Sequence, residues 1–227
     1  INDWKGRVCF MVRIYCVLIG YVFGLFQTAY FYGRMKGVDI RKVGNGNAGA
    51  TNTLRELGTK AGLIVLAGDI LKTMVAILIV KLLFRNSYPN MIYLLILYTA
   101  MGAILGHNYP CYLKFKGGKG IAATAGLILS FHPTFIIVGV TLFFGSFLTT
   151  NFVSLGSLLV YAGFMIQLVI SGQMGLFHNM TQGNLNEMYV IGLLLTIMAY
   201  WRHRANIKRL LTGTERKTYL FKKKEEK

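Results

Sequence analysis

The sequence is poor in acidic residues, with 8 Asp and Glu against 25 Lys and Arg. In a soluble protein the resulting net charge of +17 would suggest a nucleic-acid ligand. Hydrophobic residues, however, make up 54% of the 227 residues, and the mean hydropathy is +0.50. A soluble domain of this size does not bury so much apolar surface, whereas a bilayer covers it. We therefore expect an integral membrane protein with no nucleic-acid partner, whose basic residues face the cytoplasm and anionic membrane lipids.

Several chemical signatures are also missing from the sequence. The cysteines are odd in number and irregularly spaced, which predicts neither a disulfide framework nor a metal site: Cys9, Cys16 and Cys111. There is no Walker A motif, no nucleophile elbow, no pair of catalytic carboxylates and no cluster at metal-ligand spacing. The first apolar segment carries Arg13 and lacks an Ala-x-Ala-like site, so we do not expect a cleaved signal peptide.

Long apolar segments, by contrast, fill most of the chain. We predict seven, at 10–32, 61–84, 91–113, 119–130, 133–149, 154–172 and 188–202. About 20 apolar residues are needed to span a bilayer, so the fourth segment is short. His132 and Pro133 separate it from the fifth, because proline cannot continue a helix. Fusing these two segments into one kinked helix would give a different topology.

The distribution of Lys and Arg favours an odd number of spans. Basic residues concentrate in the loops at 33–60 and 114–119 and in the region from Arg202 onward. Seven spans with the N-terminus outside place all three regions on the cytoplasmic face, whereas six spans would separate them. The predicted fold is thus an all-α polytopic bundle of about seven transmembrane helices, with the C-terminus cytoplasmic. We expect one transmembrane domain over 1–210 and a basic cytoplasmic tail over 211–227.

Two polar stretches on that face are suited to binding phosphate. Residues 44–58 read GNGNAGATNTLRELG and combine glycine N–H groups, asparagine amides and the guanidinium of Arg55. A flexible linker rich in turn residues would show a similar composition. Residues 106–126 read GHNYPCYLKFKGGKGIAATAG and place lysines at the start of a helix, where N–H groups attract anions. The concentration of positive charge on the cytoplasmic face explains these lysines equally well.

Three further polar groups complete the pattern. In NFVSLGS, Ser154 and Ser157 share a helix face, where hydroxyls cap a helix or bind phosphate oxygens. In WRHRANIKRLLTGTE, His203 is a candidate proton acceptor beside Asn206, although an ordinary basic helix would also fit. Asp69 and the lysine three residues later lie within a span, either as a structural ion pair or as part of the site. The residues alone therefore predict a membrane-embedded site for phosphorylated ligands.

These motifs together resemble one family. DIRKVGNGNAGATNTLRELG, GDILK, GHNYPCYLKFKGGKGIAATAG, VSLGS and RHRANIKRLLTGTE match, in family order, the PlsY family of bacterial acyl-phosphate-dependent glycerol-3-phosphate acyltransferases. The resemblance covers about residues 20–215. It implies transfer of a fatty acyl group from acyl phosphate to the 1-hydroxyl of sn-glycerol 3-phosphate, giving lysophosphatidic acid and phosphate. It also implies a seven-span enzyme of the bacterial cytoplasmic membrane, with a cytoplasm-facing site and neither a metal nor an organic cofactor. We expect a monomer acting upstream of a lysophosphatidic acid acyltransferase.

The resemblance also implies roles for individual residues. His203 and Asn206 would be catalytic, with His203 orienting or deprotonating the glycerol hydroxyl. The other motif residues would bind substrate and phosphate: Asn45, Gly46, Asn47, Thr51, Asn52, Arg55, His107, Lys116, Gly117, Gly118, Lys119, Ser154 and Ser157. One position departs from the family, since Asn45 stands where the family has serine, and this predicts altered activity if a hydroxyl is essential there.

Two other functions are compatible with the same residues. A transporter for a phosphorylated solute would suit an ion pair within the membrane, but the polar groups cluster at one surface and no inverted repeat is present. A non-catalytic relative that binds acyl phosphate is supported by the Asn45 departure alone. We therefore favour the enzyme.

Overall fold

The computed structural model describes residues 2–177 and 179–219, with side chains from residue 7 onward. These residues form an all-helical bundle, and the end of the predicted basic tail, residues 220–227, lies outside the described residues. The α-helices are α1 (Asn2–Gly24), α2 (Thr28–Met35), α3 (Ala50–Leu57), α4 (Thr59–Phe84), α5 (Ile92–Asn108), α6 (Ile121–Phe131), α7 (Pro133–Thr150), α8 (Val153–Gln173), α9 (Gln182–Arg202) and α10 (Arg204–Leu211).

Five helical segments in the described chain are long and apolar enough to cross a bilayer. They are Arg7–Met35, Thr59–Phe84, Pro89–Leu113, Pro133–Thr150 and Val153–Gln173. The segments predicted at 119–130 and 188–202 are also helical, but α6 has only 11 residues and α9 is not among the five. Large apolar side chains such as Leu82 and Leu148, both 70% exposed, cover the outside of the bundle, as lipid-facing residues do.

The first predicted segment, 10–32, is not one continuous helix. α1 ends at Gly24 and α2 begins at Thr28, with a short turn between them. Gln27 is fully buried there and donates from Nε2 to the carbonyl oxygen of His107, 2.9 Å away. The carbonyl oxygen of Phe26 accepts from Nζ of Lys72 at 2.7 Å. Side chains thus satisfy backbone groups near the break, which is why non-helical backbone is tolerated at this depth.

Helices α1 and α5 approach closely because glycines line their contact. A Cβ atom at Gly20 would overlap the carbonyl oxygen of Thr99, and one at Gly102 would overlap that of Val17. Gly20 and Gly24 in α1, and Gly102 and Gly106 in α5, are each four residues apart. Small residues at this spacing let the backbones of membrane helices pack against each other. This contact fixes the position of α5, whose last turn carries His107.

The predicted separation of the fourth and fifth segments is confirmed. α6 ends at Phe131, and His132 caps α7 by accepting a hydrogen bond from the backbone N–H of Thr134. The alternative of a single kinked helix is therefore wrong. Because α6 is a separate short helix, its first turn, at Ile121, begins inside the bundle beside the ends of α5 and α9.

Candidate active site

The polar stretches at 44–58, 106–126, 151–157 and 201–215, here called the four polar stretches, meet around one cavity of about 330 Å³. Its polar lining comes from every stretch: Asn45, Asn47, Thr51, Asn52, Arg55, His107, Lys119, Ser154, Ser157, His203 and Asn206. Asp69, Glu215 and Thr218 also line the cavity, and the apolar part of its wall includes Leu63, Leu66, Phe143 and Phe147. The cavity therefore has a charged part and an apolar part, which suits a ligand that carries both an anionic group and a hydrocarbon chain.

Arg55 connects α3 to the segment that follows α10. Its Nη2 donates to Oγ1 of Thr218 at 2.6 Å and to the carbonyl oxygen of Arg216 at 3.0 Å. The backbone N–H of Thr218 in turn donates to the carbonyl oxygen of Asn151 at 2.9 Å, and Thr218 is 4% exposed. The predicted tail begins at residue 211, yet its described part folds back against the cavity. Hydrogen bonds from Arg55 to partners more than 160 positions away hold the segment after α10 against α3. No local sequence pattern predicts such distant partners.

Glu215 lies in the cavity wall, although no sequence motif predicted a role for it. Its carboxylate accepts hydrogen bonds from Oγ of Ser154 at 2.9 Å, from Nδ2 of Asn206 at 2.7 Å and from Nε of Arg209 at 2.7 Å. Burial opposes ionisation of Glu215, but these three hydrogen bonds outweigh it and lower its pKa. The ionised carboxylate thus holds α8, α10 and the terminal segment together at the cavity.

Lys119 brings positive charge into the cavity from the loop before α6. Its Nζ donates to Oδ1 of Asn206, and burial lowers the pKa of Lys119 to about 8. Three guanidinium groups lie near enough to lower it further, those of Arg209, Arg202 and Arg55, while Glu215 raises it. Cations therefore outnumber carboxylates around Lys119, an arrangement that favours an anionic ligand.

His203 lies between α9 and α10 and is 2% exposed. Its Nδ1 is 2.8 Å from the carbonyl oxygen of Ala199. A carbonyl oxygen only accepts, so Nδ1 carries the hydrogen and Nε2 of the neutral ring keeps its lone pair. Burial, and next the charge of Lys119, lower the pKa of His203 to about 4, so the ring is neutral near pH 7 and accepts a proton only through Nε2. His203 therefore has the charge state and the tautomer of a general base.

Comparison with known proteins agrees with this chemistry. A profile of the glycerol-3-phosphate acyltransferase family matches residues 14–213. The chain belongs to this family. Glycerol-3-phosphate acyltransferases from Thermoanaerobacter sp. (strain X514) and Bacillus subtilis (strain 168) are 36% and 37% identical to it. These alignments cover 91% and 88% of this chain and 96% and 95% of the relatives. The family predicted from the motifs is thereby confirmed.

Solved structures of the family share the fold. The crystal structure of PlsY (YgiH), an integral membrane glycerol 3-phosphate acyltransferase in its glycerol 3-phosphate form, superposes with a TM-score of 0.78 at 30% identity. The superposition covers 91% of this chain and 96% of that one. The form with lysophosphatidic acid superposes with a TM-score of 0.75 at 29% identity, covering 92% and 96%.

Within this acyltransferase fold, two predicted phosphate ligands have backbone roles in place of ligand contacts. The N–H groups of Gly117 and Gly118 donate to the carbonyl oxygens of Asn108 and His107, both at 3.1 Å, so they are not free to bind an anion. A Cβ atom at either glycine would overlap an atom of His107, which is why glycine is required there. Lys116 of the same loop is exposed and lies outside the cavity lining. N–H groups at the first turn of α6, next to Gly120 and Ile121 in the cavity wall, are the ones placed to attract an anion.

The glycine- and asparagine-rich loop of the acyltransferase is organised by Asn52. Its Nδ2 donates to the carbonyl oxygens of Ile40 and Val43, both at 3.1 Å, and its Oδ1 accepts from the backbone N–H of Asn45 at 3.0 Å. The amide of Asn52 therefore shapes the loop, and Asn52 also lines the cavity, so its contact with substrate stays a prediction. Gly46 lies outside the cavity lining. Oδ1 of Asn45, at the position of the family serine, accepts from the N–H two residues later at 3.0 Å, so it closes a turn.

Among residues 2–177 and 179–219, no group of three His, Cys, Asp or Glu side chains is placed to hold a metal ion.

Proposed function

We propose that this acyltransferase moves a fatty acyl group from acyl phosphate to the 1-hydroxyl of sn-glycerol 3-phosphate, giving lysophosphatidic acid and phosphate for phospholipid synthesis. Family membership supports the acyltransferase activity, and the named relatives and structures support glycerol 3-phosphate as the acceptor. The observation that carries the proposal is the cavity itself. There, surplus cations, a neutral imidazole whose Nε2 keeps its lone pair and an apolar wall adjoin one another.

The reaction needs few protein groups, because acyl phosphate is already an activated mixed anhydride. We assign Arg55 and Lys119 to the phosphate groups, where a planar guanidinium and an ammonium offset negative charge. Nε2 of His203 takes the proton of the 1-hydroxyl as its oxygen attacks the acyl carbonyl carbon. The new ester bond forms, the bond from the carbonyl carbon to the phosphate oxygen breaks, and phosphate leaves with that electron pair. Approximation of the substrates and charge stabilisation then supply the rate enhancement without a covalent enzyme intermediate.

The other predicted site residues support these groups. Asn206 accepts from Lys119 and donates to Glu215, so it orients the lysine in this scheme. Ser157 donates to the carbonyl oxygen of Val153 at 2.7 Å, which leaves its oxygen lone pairs available at the cavity wall. The hydrocarbon chain of the donor would run along Leu63, Leu66, Phe143 and Phe147.

The arrangement in the membrane is part of the same proposal. We place the site on the cytoplasmic face of a bacterial cytoplasmic membrane, with seven spans, the N-terminus outside and the basic tail inside. The basic loops and the C-terminal region support this orientation, since Lys and Arg concentrate on the cytoplasmic side. A monomer contains every residue that the scheme uses. Its product would feed a lysophosphatidic acid acyltransferase.

Phosphate release from the purified protein tests the proposal. The detergent-solubilised enzyme is given acyl phosphate and glycerol 3-phosphate, and phosphate and lysophosphatidic acid are measured together. We expect equal amounts of the two products, formed only when both substrates are present, and no product with acyl-CoA as the donor. Binding without turnover would instead identify a non-catalytic relative. Uptake of glycerol 3-phosphate into sealed vesicles without a donor would identify a transporter.

A further inference from the structure

A buried chain of three polar side chains extends from the cavity wall into the bundle, and the proposed reaction does not use it. Asp69 and Lys72 are one turn apart in α4, and His107 is in the last turn of α5. Their side chains are 1%, 4% and 3% exposed. Ionised groups within a membrane helix are expensive to bury and tend to mark functional positions.

The ammonium group of Lys72 has three acceptors for its three hydrogens. Its Nζ is 2.8 Å from Oδ1 of Asp69, 2.7 Å from the carbonyl oxygen of Phe26 and 2.9 Å from Nδ1 of His107. A lysine ammonium only donates, so Nδ1 of His107 accepts and carries no hydrogen. In the neutral ring the hydrogen then lies on Nε2.

The other protonation states of His107 do not fit these distances. Nδ1 is 3.7 Å from Oδ1 of Asp69, which is too long for a hydrogen bond from an Nδ1–H group. A doubly protonated ring would place a second positive charge 2.9 Å from the ammonium of Lys72. The geometry therefore selects the neutral ring with the hydrogen on Nε2.

The Nε2–H group of His107 lies beside the cavity. His107 is part of the cavity lining, and Gly118 packs so closely against Nε2 that a Cβ atom there would overlap it. Nε2 makes no hydrogen bond to any residue that the structure describes. A polar N–H group in such a position is available to a ligand oxygen.

We infer that Lys72 is a positioning residue that holds His107 in the Nε2–H tautomer, so that His107 donates a hydrogen bond to a substrate oxygen. That oxygen belongs to the acyl carbonyl or to a phosphate group, and the inference rests on the proposed function for the identity of the substrates. The two histidines of the cavity then have opposite tautomers. His203 presents a lone pair, whereas His107 presents a hydrogen, so one accepts a proton while the other stabilises negative charge.

The tautomer is measurable without turnover. The protein is labelled with 15N in the imidazole rings of its four histidines, and the His107 signals are assigned by their loss in His107→Gln. We expect a protonated Nε2 and an unprotonated Nδ1 at neutral pH. A hydrogen on Nδ1 in the unmodified protein would overturn the inference. Because this measurement does not depend on catalysis, it holds or fails independently of the proposed reaction.

Lys72→Met tests the positioning role in catalysis. Loss of the donor to Nδ1 should change the His107 signals and lower kcat/KM by about 10- to 100-fold, by analogy with the loss of a partner that orients a metal-bound imidazole. A fall in kcat would assign the acyl carbonyl as the acceptor, and a rise in KM for glycerol 3-phosphate would assign its phosphate. Unchanged His107 signals or unchanged kcat/KM in Lys72→Met would contradict the positioning role.

Lys81→Met is the matched control. Lys81 lies in the same helix and donates to the carbonyl oxygen of Ser130 at 2.5 Å, but it does not line the cavity. We expect kcat/KM within about twofold of the unmodified enzyme, as for substitutions away from special features. If Lys72→Met fails to fold with Asp69 unpaired, the variant Asp69→Asn/Lys72→Met removes both charges and should show the same loss. An equal loss in Lys81→Met would contradict a role specific to Lys72.

Discussion

Two clusters of charged side chains in this protein differ in whether their charges balance. In the first, Nε and Nη2 of Arg13 bind the two carboxylate oxygens of Glu187 at 2.6 and 2.8 Å, and Nη1 donates to the carbonyl oxygen of Cys9 at 2.8 Å. Tyr98 completes this cluster by donating to Glu187 at 2.5 Å. In the second, around Lys119, three guanidinium groups and the lysine share one carboxylate, that of Glu215.

This difference separates structure from binding. The cluster of Arg13, Glu187 and Tyr98 joins α1, α5 and α9, and every nitrogen of its guanidinium already donates to an acceptor. Glu187 precedes His203 by 16 residues, so along the helix the two are about 24 Å apart. Among the described residues the surplus charge near His203 has no matching carboxylate, and we therefore assign it to an anionic substrate. Substitutions in each cluster test whether one stabilises the fold and the other binds substrate.

The largest effect is expected from His203→Gln at the unbalanced cluster. Glutamine can hydrogen-bond but cannot take a proton from the hydroxyl, so kcat should fall by about 10²- to 10⁴-fold, the usual contribution of a general base. KM for glycerol 3-phosphate should change little, because the cations remain. Steady-state kinetics measures both values. His132→Gln, which alters the cap of α7, is the matched control and should leave kcat unchanged. A rise in KM without a fall in kcat would show that His203 binds substrate and does not act as a base.

At the balanced cluster, Glu187→Gln should affect stability and leave the chemistry intact. It leaves the Arg13 guanidinium half-buried without its carboxylate, and unfolding in detergent should become easier by about 1–3 kcal/mol. The thermal midpoint measures this loss, while kcat and KM should stay at their original values at a temperature where the variant is folded. Replacing both partners, as Arg13→Met/Glu187→Met, should recover part of the stability. A large change in KM in folded Glu187→Gln would join the two clusters functionally and contradict their separation.

The pH dependence of substrate binding tests Lys119. The pKa of Lys119 is about 8, so its charge is present below that pH and is lost as the pH rises. Affinity for the glycerol 3-phosphate dianion should therefore weaken by up to about tenfold between pH 7 and pH 9. Lys119→Arg keeps the charge across this range and should flatten the decline. Equal affinity of the unmodified protein at both pH values would remove Lys119 from the phosphate site.

The smallest effect is expected at the edge of the unbalanced cluster, from Asn45→Ser. The structure uses Oδ1 of Asn45 to close a turn, and a serine oxygen can make the same kind of hydrogen bond. We expect kcat/KM to change by no more than about twofold, as for an exposed position without a special role. A large gain in activity would show that the asparagine compromises the site and that the family serine contacts substrate directly.

The sequence predicted the helical segments and the meeting of the four polar stretches, and the physical reason is simple. Apolar periodicity and the bias of Lys and Arg are local signals, and short polar stretches between apolar segments must lie at the ends of the helices. The break after Gly24, the fold-back of Thr218 and the role of Glu215 depend on hydrogen bonds between distant parts of the chain. No local pattern encodes those partners. For the same reason Gly117 and Gly118 looked like anion ligands, although their N–H groups have backbone acceptors in the structure.

Binding of glycerol 3-phosphate to Arg55→Lys tests the claim that the surplus cations of the cavity hold the substrate phosphate. Arg55 contributes a planar fork that lysine cannot reproduce. Calorimetry in detergent should show affinity about tenfold weaker than that of the unmodified protein, the loss expected when about 1.4 kcal/mol of a charge-assisted contact is removed. Arg41→Lys is the control, because Arg41 pairs with Asp39 outside the cavity lining, and its affinity should be unchanged. Equal affinity in Arg55→Lys and the unmodified protein would contradict the claim.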